Sequence, residues 1–145
     1  PIGSGRITQE MIDVPEEFDS FEEVVAYESK QNRFCSDPVL RRRVTYATKQ
    51  LPNGKFGWRL DLEVREQRRN GTGPKQPDLW LSLPNIKCPV MIVRGTETDT
   101  LALDTAEKMV EVLADSRLVH VEHAAHMVFE DNPEGFNKVL HEFLD

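Results

Sequence analysis

Apolar residues along this chain follow two rhythms, and the change between them falls at about residue 83. Upstream they recur every three or four positions. Ser20 and Glu23 form a capping box, and Phe21, Val24, Val25 and Tyr27 give the next stretch an apolar side, which predicts a helix over about 20–32. Asp37 and Pro38 read as N-cap and first helical residue ahead of Leu40, Val44, Ala47 and Leu51, predicting a second helix over about 38–51. Pro52 stops that helix, and Asn53-Gly54 suits a tight reversal. A third helix is expected over 60–69. The Gly- and Pro-rich stretch 70–77 reads as a flexible connector. Residues 1–82 thus read as a mainly helical module with no buried strand of quality.

Residues 83–145 read differently. Pro89–Val93 is continuously apolar, as expected of a central strand covered on both faces of a parallel sheet. Asp104, with Glu107 three residues on, is the expected cap of a helix whose buried stripe is Ala106, Met109, Val110 and Leu113. A second strand follows over 117–122. Asn132-Pro133 then opens a helix with Phe136, Val139, Leu140, Phe143 and Leu144 on one face. Strand, helix, strand, helix closes as a right-handed crossover with parallel strands, so the expected class is α/β. Two central-looking strands need a larger sheet than this chain offers. The missing strands are expected upstream of Pro1 or from another chain.

Composition narrows the partners. At 145 residues the prior is one domain, with 39% apolar and 30% charged positions, and no apolar run approaches the roughly 20 residues that span a membrane. Residues 1–82 balance 13 basic against 13 acidic side chains, whereas 83–145 hold 5 and 12, so the net charge of −7 belongs to the second part. Such an acidic part repels nucleic acid, and the clusters Arg41–Arg43 and Arg65, Arg68, Arg69 read as solvated helix faces. Two cysteines, Cys35 and Cys88, build neither a disulfide framework nor a Cys-rich zinc site and point to a reducing compartment, so a cytoplasmic location is expected. A homo-oligomer is compatible with this sequence.

The chemistry concentrates after the two strands. The carboxyl ends of neighbouring parallel strands open on one edge of a sheet, so Asp99, after the first, and His126, after the second, can meet there. A hydroxyl nucleophile is weak at neutral pH and needs a His to take its proton and a carboxylate to orient that His. Asp99 and His126 fit the acid and base. Gly95 reads as the residue that permits the turn out of the first strand, and the small Ala124 and Ala125 let the backbone pass close to the site. Alone, Asp99 would read as a capping or loop carboxylate, and Glu97 is the rival acid, with less reach. His120, His123 and His126 recur every third residue but share no face across a strand and its exit loop, so no metal or cofactor is expected.

The run Ile86 to Leu144, with I-K-C-P-V-M-I-V-R-G and T-E-T-D, then R-L-V-H-V-E-H-A-A-H and D-N-P-E-G-F, resembles the C-terminal segment of the α/β-hydrolase superfamily. The phrases V-P-E-E-F-D-S-F-E-E, L-P-N-G-K-F-G-W-R-L-D and D-L-W-L-S-L upstream resemble the helical lid of its esterase-like members. The resemblance implies a lid over 1–82, the C-terminal strand-helix-strand-helix part of the core over 83–145, and Asp99 and His126 as triad acid and base. It also implies a nucleophile preceding them in a G-x-S-x-G elbow. No such motif stands here, since Gly3-Ser4-Gly5 has the wrong spacing and Cys88 lies at the wrong end of its strand. Ala125 stands where the family usually has Gly. Phe56, Trp58 and Trp80 are candidates to line an acyl pocket, against the more ordinary reading that they pack the module.

Two functions follow. The first is an esterase-like hydrolase part, inactive alone, whose acid and base serve a Ser or Asp nucleophile upstream of residue 1 on a small ester or related substrate. The second is a non-catalytic hydrolase-like module that binds a ligand or partner chain through an exposed sheet edge.

Overall fold

In the computed structural model, which describes residue 9, residues 12–74 and residues 77–145, the pattern around Ser20 becomes α1 (Phe21–Gln31). The Ser20 hydroxyl accepts the Glu23 amide at 3.2 Å, and the Glu23 carboxylate reaches back to the Asp19 amide at 2.7 Å, closing the box one residue early. In α2 (Asp37–Ala47) the cap position is Ser36 rather than Asp37, whose carboxylate instead accepts Arg41 Nε at 2.8 Å. The same Arg41 forks onto Glu22 of α1 at 2.7 and 2.8 Å. That hydrogen bond lowers the Glu22 pKa below the usual carboxylate range. The pair therefore stabilises above the ordinary carboxylate pKa and loses its contribution as pH falls through the lowered value, modestly, because both groups face solvent.

Helix α2 ends at Ala47, not near residue 51. Thr48 is buried and donates its hydroxyl to the Val44 carbonyl, and the chain then pairs sideways. Strands β1 (Glu17–Phe18), β2 (Thr48–Gln50) and β3 (Phe56–Trp58) make an antiparallel sheet in the order β1-β3-β2. The reversal read at Asn53-Gly54 is the β2–β3 turn, where Gly54 takes the left-handed φ of +84°. This sheet corrects the reading of helices and loops alone; strands of two or three residues are too short to show a period of two. The third helix, α3 (Leu62–Asn70), forms close to its expected place. Arg65 is not on a solvated face as expected. It is buried, its guanidinium donating to the carbonyls of Ile12 and Val14, with Glu16 at 3.5 Å.

The core of this first unit is Phe18, Val24, Val25, Leu40 and Val44. Val24 and Val44 are fully buried. Val44→Ala is expected to lower unfolding stability by about 2 kcal/mol, from lost transfer energy plus the residual cavity. Denaturant titration checks this, and a loss below about 0.5 kcal/mol would contradict the core placement.

The second unit lies within 77–145, so the units divide near residue 75, whereas the composition changes near 83. The expected connector at 70–77 includes two positions outside the described residues, and Gly3-Ser4-Gly5 lies wholly outside them. A 3₁₀ run (Leu79–Asn85) leads into β4 (Val90–Gly95), then α4 (Leu103–Val112), β5 (Ser116–Val121), α5 (Val128–Asp131) and α6 (Pro133–Leu144). β4 and β5 are parallel, in register from Val90 opposite Ser116 to Gly95 opposite Val121. Helix α4 starts at Leu103 with Ala102 at the cap, so Asp104 sits inside the first turn and caps nothing.

Each face of the strand pair carries its own cluster. Ile92 packs with Ala106, Met109, Val110 and Leu113, the stripe expected of α4. Val93 lies in the other cluster, with Val121, Ala124, Val128, Phe136 and Val139. The period-two alternation of neighbouring strand residues thus meets a helix on either side. Asn132 caps α6 as expected, accepting the Gly135 amide at 2.9 Å, but Leu144 falls off the buried face and is 71% exposed.

Candidate active site

The loops after β4 and β5 leave the same edge of the parallel pair and are bonded to each other by their backbones. The Thr96 amide donates to the Val121 carbonyl at 3.0 Å, and the Glu97 amide to the Ala124 carbonyl at 2.9 Å. Asp99 lies two residues beyond the Glu97 bond, and His126 two residues beyond the Ala124 bond. Both side chains are exposed, as are those of Glu97 and His123. The fold thus brings together the two loops that the sequence singled out, at the strand edge where α/β proteins place their chemistry.

Gly95 makes that junction, for a reason other than the expected one. Its φ is not in the left-handed region, so the turn itself does not demand glycine. A Cβ there would lie 2.3 Å from the carbonyl oxygens of both Ala124 and Ala125. Close approach of the base loop is what excludes a side chain. Ala124, at the same junction, is fully buried. The sharp bend after β5 falls instead on His123, with φ +52°.

Two charged residues overlooked as site residues in the sequence brace these loops. Arg94, half-buried on β4, donates Nε to the Leu101 carbonyl at 2.8 Å and Nη2 to the Thr98 carbonyl at 3.4 Å, so its contacts bracket Asp99. Asp131 accepts the Ala125 amide at 2.8 Å, next to His126. The signals were a cation ending an apolar strand and an acid just before the Asn132 cap. Each had an ordinary reading as a strand terminus or part of a helix cap.

Phe56 and Trp58 sit in the first unit, both packed against its core. Trp58 meets Phe18 edge-on at 5.6 Å and donates its indole N–H to the Pro15 carbonyl at 2.8 Å, and Phe56 meets Phe21 at 6.0 Å. Trp80 is on the 3₁₀ run, 40% exposed. Among the described residues no group of three or more His, Cys, Asp or Glu is placed to hold a metal ion, and no helix is long and apolar enough to cross a membrane.

A parallel strand pair flanked by a helix on each face, with joined loops at its carboxyl edge, defines an α/β protein of the kind that works from its strand ends. No protein-family model matches the chain. It is 31% identical over 128 residues to a Bacillus subtilis (strain 168) protein provisionally named 2-succinyl-6-hydroxy-2,4-cyclohexadiene-1-carboxylate synthase, covering 87% of this chain and 44% of that one. The solved structure of E-2-(acetamidomethylene)succinate hydrolase superposes with a TM-score of 0.82 at 20% identity, over 99% of this chain and 52% of that one. An esterase of M. tuberculosis superposes with a TM-score of 0.74 at 23% identity, over 99% and 47%. The chain has the α/β-hydrolase fold. It spans about half the length of the relatives it matches.

Proposed function

We propose that this chain supplies the acid, Asp99, and the base, His126, of a catalytic triad whose nucleophile lies outside residues 1–145, and that the whole protein hydrolyses a small ester or related carbonyl substrate. The observation that carries the reading is the backbone bond between the two loops, Glu97 amide to Ala124 carbonyl at 2.9 Å, at the carboxyl edge of β4 and β5. His126 takes the proton of a Ser hydroxyl as it attacks the carbonyl carbon, and Asp99 orients the ring and stabilises the imidazolium. The same proton then passes to the leaving oxygen, and water repeats the sequence to release the acid. With an Asp nucleophile the first attack needs no base, and His126 activates the water that cleaves the intermediate. The first unit, with α1 to α3, acts as the lid in this reading, and residues 77–145 as the catalytic core portion. The relatives are called a synthase, a hydrolase and an esterase, so one fold carries more than one reaction. Two of the three names favour hydrolysis.

Asp99→Asn in the full-length protein is expected to lower kcat on p-nitrophenyl butyrate by on the order of 10⁴ with KM little changed, because the amide leaves His126 in the wrong tautomer. Activity within about threefold of the parent, with Glu97→Gln inactive instead, would give the acid role to Glu97. A full-length protein that binds this ester without turning it over would leave the non-catalytic module as the better account.

A further inference from the structure

The peptide group between Ala124 and Ala125 is bonded at both ends to different parts of the site. Its carbonyl, that of Ala124, accepts the Glu97 amide of the acid loop at 2.9 Å. Its N–H, that of Ala125, donates to Asp131 Oδ2 at 2.8 Å. A peptide group is one rigid plane, so fixing its N–H also aims its carbonyl. Asp131 therefore reaches the acid loop through a single rigid unit, and the next residue along is His126.

Asp131 is itself well placed to act as a fixed point. It is half-buried, and its amide donates to the Met127 carbonyl at 2.9 Å, closing the turn of α5. Its neighbour Asn132 caps α6 through Oδ1 and donates Nδ2 to the Glu122 carbonyl at 2.9 Å, fastening the other end of the same loop. The loop from Glu122 to Ala125 is thus held at both ends by consecutive side chains. A carboxylate accepting a backbone amide is charge-assisted, roughly twice as strong as a neutral pair.

We propose that Asp131 is a positioning residue for His126, setting through the Ala124–Ala125 peptide both the seat of the base and its alignment with the acid loop. This rests on the triad reading above. A misplacement of about 1 Å in such a constellation costs on the order of 10²-fold in rate.

The test is steady-state hydrolysis of p-nitrophenyl butyrate by the full-length protein, comparing Asp131→Ala and Asp131→Asn with the parent, and with His126→Ala as reference. In Asp131→Ala, kcat is expected to fall roughly ten- to a hundredfold with KM within about twofold. Asp131→Asn, whose side-chain oxygen still accepts the Ala125 amide, is expected to recover most of the loss. An unchanged kcat in folded Asp131→Ala, a loss confined to KM, or an equal loss in the Asn variant would overturn the proposal while an inactive His126→Ala kept the triad standing. If His126→Ala retains turnover, the triad reading fails first, and the positioning role with it. Should Asp131→Ala fail to fold, Asp131→Glu carries the test. It keeps the charge but lengthens the side chain, so a kcat loss at steady KM supports the role and an unchanged kcat contradicts it.

Discussion

Replacing His126 with Ala should abolish turnover of the full-length protein, lowering kcat/KM by roughly 10⁴ to 10⁶-fold. In the proposed triad the imidazole accepts the nucleophile's proton, or that of the attacking water, and returns it to the leaving oxygen. Its backbone is held by the bonded loop junction, so the variant loses the ring and little else. His126 is exposed and outside every buried cluster, so thermal unfolding should be nearly unaffected. Loss of activity without loss of stability is the signature expected. His123, also exposed and three residues earlier, is the internal comparison, because it makes the bend at φ +52° rather than the chemistry.

The second large effect is expected at Gly95. Gly95→Ala puts a methyl group 2.3 Å from two backbone carbonyl oxygens, those of Ala124 and Ala125. Neither can easily retreat. The Ala124 carbonyl accepts the Glu97 amide, the Ala125 amide is bonded to Asp131, and β4 is locked to β5 along its length. The loops must part, with a stability loss of about 3 kcal/mol and catalytic efficiency reduced roughly a hundredfold or more. Thermal unfolding and ester hydrolysis measure the two effects. Gly54→Ala provides the contrast. Nothing lies within 4 Å of that position, but its φ of +84° strains any side chain, so about 1 kcal/mol is lost and activity is retained. A Gly95→Ala protein with the parent's stability and activity would contradict the account of the junction.

Much of this was legible in the sequence because it rests on strong local signals. The capping box at Ser20, the Asn132-Pro133 cap and the α4 stripe each repeat over enough residues, or use chemistry specific enough, to fix an element. What escaped was decided by partners far along the chain. Thr48 to Gln50 continue a helical pattern but gain more by pairing with Trp58 to Phe56. Arg65 looks like one of three solvated cations until the carbonyls of Ile12 and Val14 are brought to it. Gly95 reads in sequence as a turn residue, since a close approach between loops leaves no trace in spacing. The braces Arg94 and Asp131 escaped for the same cause: both hold backbone groups, and a backbone acceptor or donor has no residue type to recognise.

In the proposed triad Asp99 and His126 work as one unit, and a double-mutant cycle on kcat/KM in the full-length protein measures their coupling. Side chains in a single proton-transfer chain are grossly non-additive. Asp99→Asn combined with His126→Ala is expected to be no slower than His126→Ala alone. Multiplied losses in the double variant, or full activity in either single one, would contradict it.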